Sequence, residues 1–158
     1  MWAEIIKSLL ASPVIAALVV GIFTLASIRL GLGRFRSERW WERKAAAYAA
    51  AIEGLHAMYD RCKAEVDAAD AGANLSDSWE RKLGDASLIG WAEVRKGASI
   101  GSFVMTKRAA SILNDVIQKI DEANGAGMDF YSENFEKKKF LSDAIIAMKV
   151  EAKSDLRT

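Results

Sequence analysis

A single cysteine, Cys62, excludes any disulfide within the chain. With a single histidine, His56, it also excludes a zinc site of several thiolates and imidazoles from one copy. His56 and Cys62 are six residues apart, so on a helix they lie on different faces and form no ready base–nucleophile pair. Neither G-x-x-x-x-G-K-[ST] nor G-x-G-x-x-G occurs, which removes the usual phosphate cradles. Net charge is only +1, from 22 basic and 21 acidic residues, so no global field draws nucleic acid or acidic ligands. The carboxylates are scattered among basic neighbours, where nothing raises a pKa for acid–base work. These absences predict a protein that is not an enzyme, with no cofactor, metal or small-molecule substrate.

Proline is equally scarce. Its one occurrence, Pro13, leaves the rest of the chain free to form long helices, and the Ala-rich, charged composition favours them. The fold class predicted is all-α: one N-terminal transmembrane helix followed by an elongated antiparallel bundle of about four helices. Residues 1–36 form the anchor and juxtamembrane segment, and residues 37–158 the cytosolic helical-bundle domain.

The anchor rests on Ser8–Ile28, 21 residues without a charge, bracketed by Lys7 and Arg29. At about 1.5 Å per residue such a helix matches a hydrocarbon core of roughly 30 Å. The predicted span runs from about Leu9 to Ile28. A cleaved signal peptide is the alternative, but the apolar run exceeds a roughly 7–15-residue h-region, and no clear A-x-A site precedes Arg29. Lys7 lies on one side of the span. Arg29, Arg34, Arg36, Arg39, Arg43 and Lys44 lie on the other, so the positive-inside rule places the C-terminal domain in the cytoplasm, at the inner membrane. Ala17 and Gly21 form a small-xxx-small pair for packing between membrane helices. The span holds no ionisable residue, which disfavours a proton relay or charged-substrate path.

The stretch RLGLGRFRSERWWERK (29–44) follows. Trp2 and Lys7 before the span, and Arg29, Arg34, Phe35, Arg36 and Trp40 after it, form the predicted membrane-interface set, with lipid as partner. A single-stranded nucleic-acid reading of this aromatic-basic patch is weaker beside a bilayer. A lipid-sensing surface around Trp40 is a further minor reading. Gly31 and Gly33 either loosen the helix here or are tolerated within one long helix, and Ser37 could restart it as an N-cap.

From Ser37 to about Ala71, apolar residues recur at Trp41, Ala45, Tyr48, Ile52, Leu55, Tyr59, Cys62, Val66 and Ala69, with alternating steps of four and three. That is a narrow helical seam, able to pack at home or against a second copy, and its large aromatics favour packing at home. GANLSD (72–77) is a turn. A third helix is expected from Ser76 or Asp77 to about Gly97, with Leu83, Leu88, Trp91 and Val94 inward. GASIGSFVMT (97–106) reads as a buried connector. Thr106 caps a fourth helix carrying Ala109, Leu113, Val116, Ile120 and Ala123, and NGAG (124–127) ends it. A fifth helix runs from about Phe130 to Asp155, with Phe140, Leu141, Ile145, Met148 and Ala152 inward. Lys137, Lys138 and Lys139 read as a solvated face.

RFRSERWWERKAAAYAAAIEGLHAM and EVRKGASIGSFVMTKRAASIL resemble segments of uncharacterised bacterial and prophage-encoded single-pass membrane proteins with a helical cytosolic domain. The resemblance covers about a third of the chain and implies a small inner-membrane protein, with no functional residues to transfer. The function expected is a non-enzymatic, membrane-anchored interaction or scaffold protein, binding a protein partner or forming a homo-oligomer through helix 37–71 and the span. The alternative is a membrane-perturbing or pore-forming effector in stress or phage defence, triggered by oligomerisation.

Overall fold

The computed structural model describes residues 13–157, with side chains from residue 39 onward. Four helices and no strands occur among them: α1 (Pro13–Asp70), α2 (Asp77–Val104), α3 (Lys107–Gly125) and α4 (Phe130–Asp155). Contacts divide the chain into two compact units, Met1–Trp41 and Glu42–Thr158. The core described below belongs to the second.

Of the two readings of Gly31 and Gly33, the single long helix is the one found. The α1 backbone is helical through Gly31, Gly33 and Ser37. An interior glycine costs only about 1 kcal/mol of helix propensity, less than long helical stretches on both sides can sustain. Helix α1 ends where Gly72 takes a positive φ of 62° and the Ala73 amide donates to the Ala68 carbonyl at 2.9 Å. That closure satisfies carbonyls the helix would otherwise leave open.

Helices α3 and α4 follow from their caps and period. Thr106 Oγ1 accepts from the Ala109 amide at 3.0 Å. Asp129 accepts from the amides of Tyr131 and Ser132, both at 3.1 Å. Ala109, Leu113, Val116, Ile120 and Ala123 are buried on α3, and Leu141, Ile145, Met148 and Ala152 on α4. All of these but Ala123 join Tyr48, Leu55, Met58 and Cys62 of α1 and Val94 of α2 in one cluster. Each large member contributes roughly 1.5–3 kcal/mol by leaving water. Helix α2 packs on α3, and α3 on α4.

Helix α2 departs most from expectation. It does not stop near Gly97 but continues to Val104, so residues 97–104 are helix and not a buried connector. Gly97 and Gly101 are contact points rather than breakers. A Cβ would stand 2.8 Å from Leu113 Cδ1 at Gly97 and 2.7 Å from Met105 Cε at Gly101. The absent side chains give those neighbours their space, while Ile100 and Phe103 turn outward.

Only Gly90, Val94 and Gly101 of α2 are buried. The approach to α1 is close because both helices present glycine. A Cβ on Gly54 would lie 2.6 Å from the Gly90 carbonyl oxygen, and one on Gly90 would lie 2.5 Å from the Gly54 oxygen. Backbone meets backbone at that crossing. Leu88, expected inward with Val94, is instead 70% exposed, because six residues of helix set it about 120° round from Val94.

Candidate functional site

The residues singled out from the sequence fall into three groups. Trp2, Lys7, Ala17, Gly21, Arg29, Arg34, Phe35 and Arg36 lie outside the residues whose side chains are described, as does the 9–28 span. Among the described residues no helix is long and apolar enough to cross a membrane. Trp40 is 49% exposed.

The seam on α1 is used within the chain. Tyr48, Leu55, Cys62 and Val66 are buried, and Ile52 and Tyr59 are partly buried against the core. Trp41 is the exception: it is 53% exposed rather than inward. Ala69, at the other end of the seam, is also exposed. The heptad pattern therefore runs about a turn past its cover at each end.

A polar clamp that no sequence pattern signals closes one end of the bundle. The buried Tyr48 hydroxyl donates to Asp155 Oδ2 at 2.9 Å and accepts from the Thr106 amide at 3.4 Å. Lys44 Nζ donates to Asp155 Oδ1 at 2.8 Å. Thr106 Oγ1 donates to Glu151 Oε1 at 2.6 Å, and Arg108 lies 3.6 Å from the same carboxylate. α1, the α2–α3 corner and the end of α4 thus share one hydrogen-bonded network. The hydrogen-bonded pairs are 45 to 111 residues apart, a separation at which local pattern carries no information.

A cleft of about 460 Å³ involves all four helices. Met58, Cys62, Ile120 and Leu141 form its apolar side, and Trp91 lies under the Arg95 guanidinium at 5.6 Å. Lys137 lines it and is ion-paired with Glu133, its side chain only 15% exposed. This corrects the solvated reading of the 137–139 run at its first member. Arg61, Arg95 and Lys137 are set against Asp121 and Glu133, so the rim carries both signs. Burial pushes the Cys62 thiol up against the opposing pull of Lys137 and Arg61, which keeps it protonated and poorly nucleophilic. The cleft can hold an apolar body, and its chemistry is packing and rim charge. Among the described residues no group of three or more His, Cys, Asp and Glu could hold a metal.

Burial also raises the Tyr48 hydroxyl above its ordinary value, with Asp155 adding to the shift and the Thr106 contacts opposing it. Both raised groups hold their protons longer folded than unfolded. Their contribution to stability is complete below the ordinary thiol value of 9.0 and is lost as pH climbs past it and past the ordinary phenol value of 10.0. The melting temperature should therefore fall between pH 8.5 and 11, and less steeply in Tyr48→Phe. Equal slopes in the two proteins would refute the assignment.

Among the described residues, the outer face of α2 leaves large apolar side chains uncovered. Ile89 is 67% exposed, Ile100 48% and Phe103 77%. Beside it, Ala46, Ala50, Gly97, Ile100 and Val104 help line an apolar groove of about 280 Å³ between α1 and α2. The sequence reading missed this face because it treated 97–106 as a connector.

No family model, curated protein or solved structure matches this chain.

Proposed function

We propose that the chain is a non-enzymatic, membrane-anchored interaction module. A span at residues 9–28 holds it in the inner membrane, and its helical domain lies in the cytoplasm and self-associates. The single observation that carries the interaction part is the uncovered α2 face, where Ile89 and Phe103 are each more than two-thirds exposed. Large apolar side chains left exposed along one helix face are a common mark of an interaction surface. The uncharged run Ser8–Ile28 and the six cations that follow it, Arg29 to Lys44, support the anchor and its direction.

The seam of helix 37–71 is occupied at home, which leaves the outer faces of the bundle and the small-residue pair Ala17 and Gly21 for assembly. Lipid is the second partner, met by Trp40 and the preceding cations.

The test has two arms. The full chain should stay with membranes through alkaline carbonate extraction. Val19→Lys with Ile22→Lys should release it, because each central lysine costs about 2.5–3.5 kcal/mol of insertion. In mild detergent the wild-type protein should elute larger than one chain plus its micelle. A chain extracted by carbonate, or a strict monomer in detergent, sinks the reading. Depolarisation of expressing cells that is abolished by Ala17→Leu with Gly21→Leu would replace it with the membrane-perturbing effector.

A further inference from the structure

We infer that the cleft among the four helices binds a small amphipathic carboxylate, with its apolar body on the floor and its charge against Arg61 and Arg95. The floor is made by Met58, Cys62, Ile120 and Leu141, none more than 7% exposed. Leu88 and Phe130 line the same space and are 70% and 61% exposed. An apolar body entering the cleft removes both from water, which favours its entry. At about 460 Å³ the space falls within the roughly 300–1,000 Å³ of small-molecule sites.

A buried polar group opens into this cleft. Asn134 lines it, is 9% exposed, and is the one buried polar side chain among the described residues. Its Nδ2 donates to the Phe130 carbonyl at 2.9 Å, which fixes the way the amide faces. Among the described residues Oδ1 has no protein partner, and it is not sealed off, since no sealed side-chain oxygen or nitrogen lacks one. An open acceptor beside an apolar floor takes a donor from the ligand and sets its orientation.

Charge sets the sign of the ligand. Lys137 is paired with Glu133, so those two cancel. Among the described residues Arg61, Arg95 and Asp121 remain in the cleft without an ion pair, two cations against one anion. Arg95 Cζ stands over the Trp91 ring at 5.6 Å, a contact that holds the guanidinium and leaves its N–H donors free. Burial dominates the Cys62 thiol, but the two strongest charges acting on it are Lys137 and Arg61, both favouring an anion. The field at the floor is therefore positive. Guanidinium donors match a carboxylate in geometry as well as in sign.

Calorimetric titration of the full chain in lipid nanodiscs with naphthylacetate, against empty discs, tests this. The acid should saturate at one per chain. Naphthylethanol and naphthylethylamine, with the same rings and no negative charge, should bind at least tenfold more weakly. Arg61→Gln, Arg95→Gln and Leu88→Glu should each weaken the acid at least fivefold. Lys96→Gln, on the same helix as Arg95 but outside the cleft, should leave it unchanged. All four positions are exposed, and unchanged circular dichroism would show that the fold is kept.

No saturable uptake of the acid overturns the inference. So does an alcohol or amine that binds as tightly, or an affinity that neither arginine variant alters. Self-association is judged by its own detergent experiment and stands or falls apart from this result.

Discussion

Gly54→Ala is expected to destabilise the bundle by about 2 kcal/mol, although alanine is the better helix former. Two effects oppose each other. Helix propensity favours the change by about 1 kcal/mol. The new methyl would stand 2.6 Å from the Gly90 carbonyl oxygen and 3.2 Å from Val94 Cγ2. Backbone cannot swing aside as a flexible side chain can, so the α1–α2 pair must separate. Overpacking of this kind costs typically 1–3 kcal/mol, and the 2.6 Å approach places this site at the upper end or beyond.

Gly90→Ala should behave alike, since its methyl would meet the Gly54 oxygen at 2.5 Å. The double variant should lose less than the sum of the two, because the first substitution has already opened the crossing. Gly84 is the internal control. It lies in the same helix with nothing within 4 Å of an added Cβ, so Gly84→Ala should stabilise by about 0.5–1 kcal/mol. Urea denaturation followed by circular dichroism reads all four. If Gly54→Ala matches or exceeds wild type, the close crossing is not a property of the folded chain.

Asp155→Ala is expected to cost about 2 kcal/mol, well above what an exposed pair contributes. Its carboxylate receives Lys44 and the Tyr48 hydroxyl on separate oxygens. The side chains of Lys44 and Asp155 are only 22% and 11% exposed. Exposed ion pairs contribute at most about 1 kcal/mol, and pairs removed from water cost more when one partner is deleted. The variant would leave a half-buried ammonium and a buried hydroxyl without their acceptor. Tyr48→Phe alone should cost about 1 kcal/mol, the order of one hydrogen bond. The two together should be less than additive, because they delete a shared bond. Additive losses in a double-mutant cycle would mean the clamp does not act as a unit.

The parts of this fold legible in the sequence are those whose cause is local. α3 and α4 were readable to within a residue or two, since Thr106 is a cap and the buried positions of both helices keep a 3.6 period. The α1 seam was readable for the same reason between Tyr48 and Val66. It failed at Trp41, because periodicity shows which side of a helix is apolar but not how far its cover extends.

Glycine was the chief source of error. Gly90, Gly97 and Gly101 carry the same local signal as a helix breaker, and only their neighbours show that they are places of close approach. Taking Gly97 and Gly101 for a connector ended α2 too early and hid the outward face of its last turns, including Phe103. The cleft and the clamp were illegible for another reason: each joins residues from several helices whose sequence positions have no mutual spacing.

The sequence by itself determined that the described chain is helical, where its last two helices begin and end, and which face of each is apolar. It also supplies the uncharged run from which the anchor is read. Only the tertiary structure decided that the α1 seam is satisfied at home, that α2 meets α1 through bare backbone at Gly54 and Gly90, and that α2 turns an apolar stripe outward. Helix type and apolar face follow from neighbours three and four residues away, which the chain carries with it. The choice of what covers that face depends on groups brought together from distant positions, and that is settled only when the helices pack.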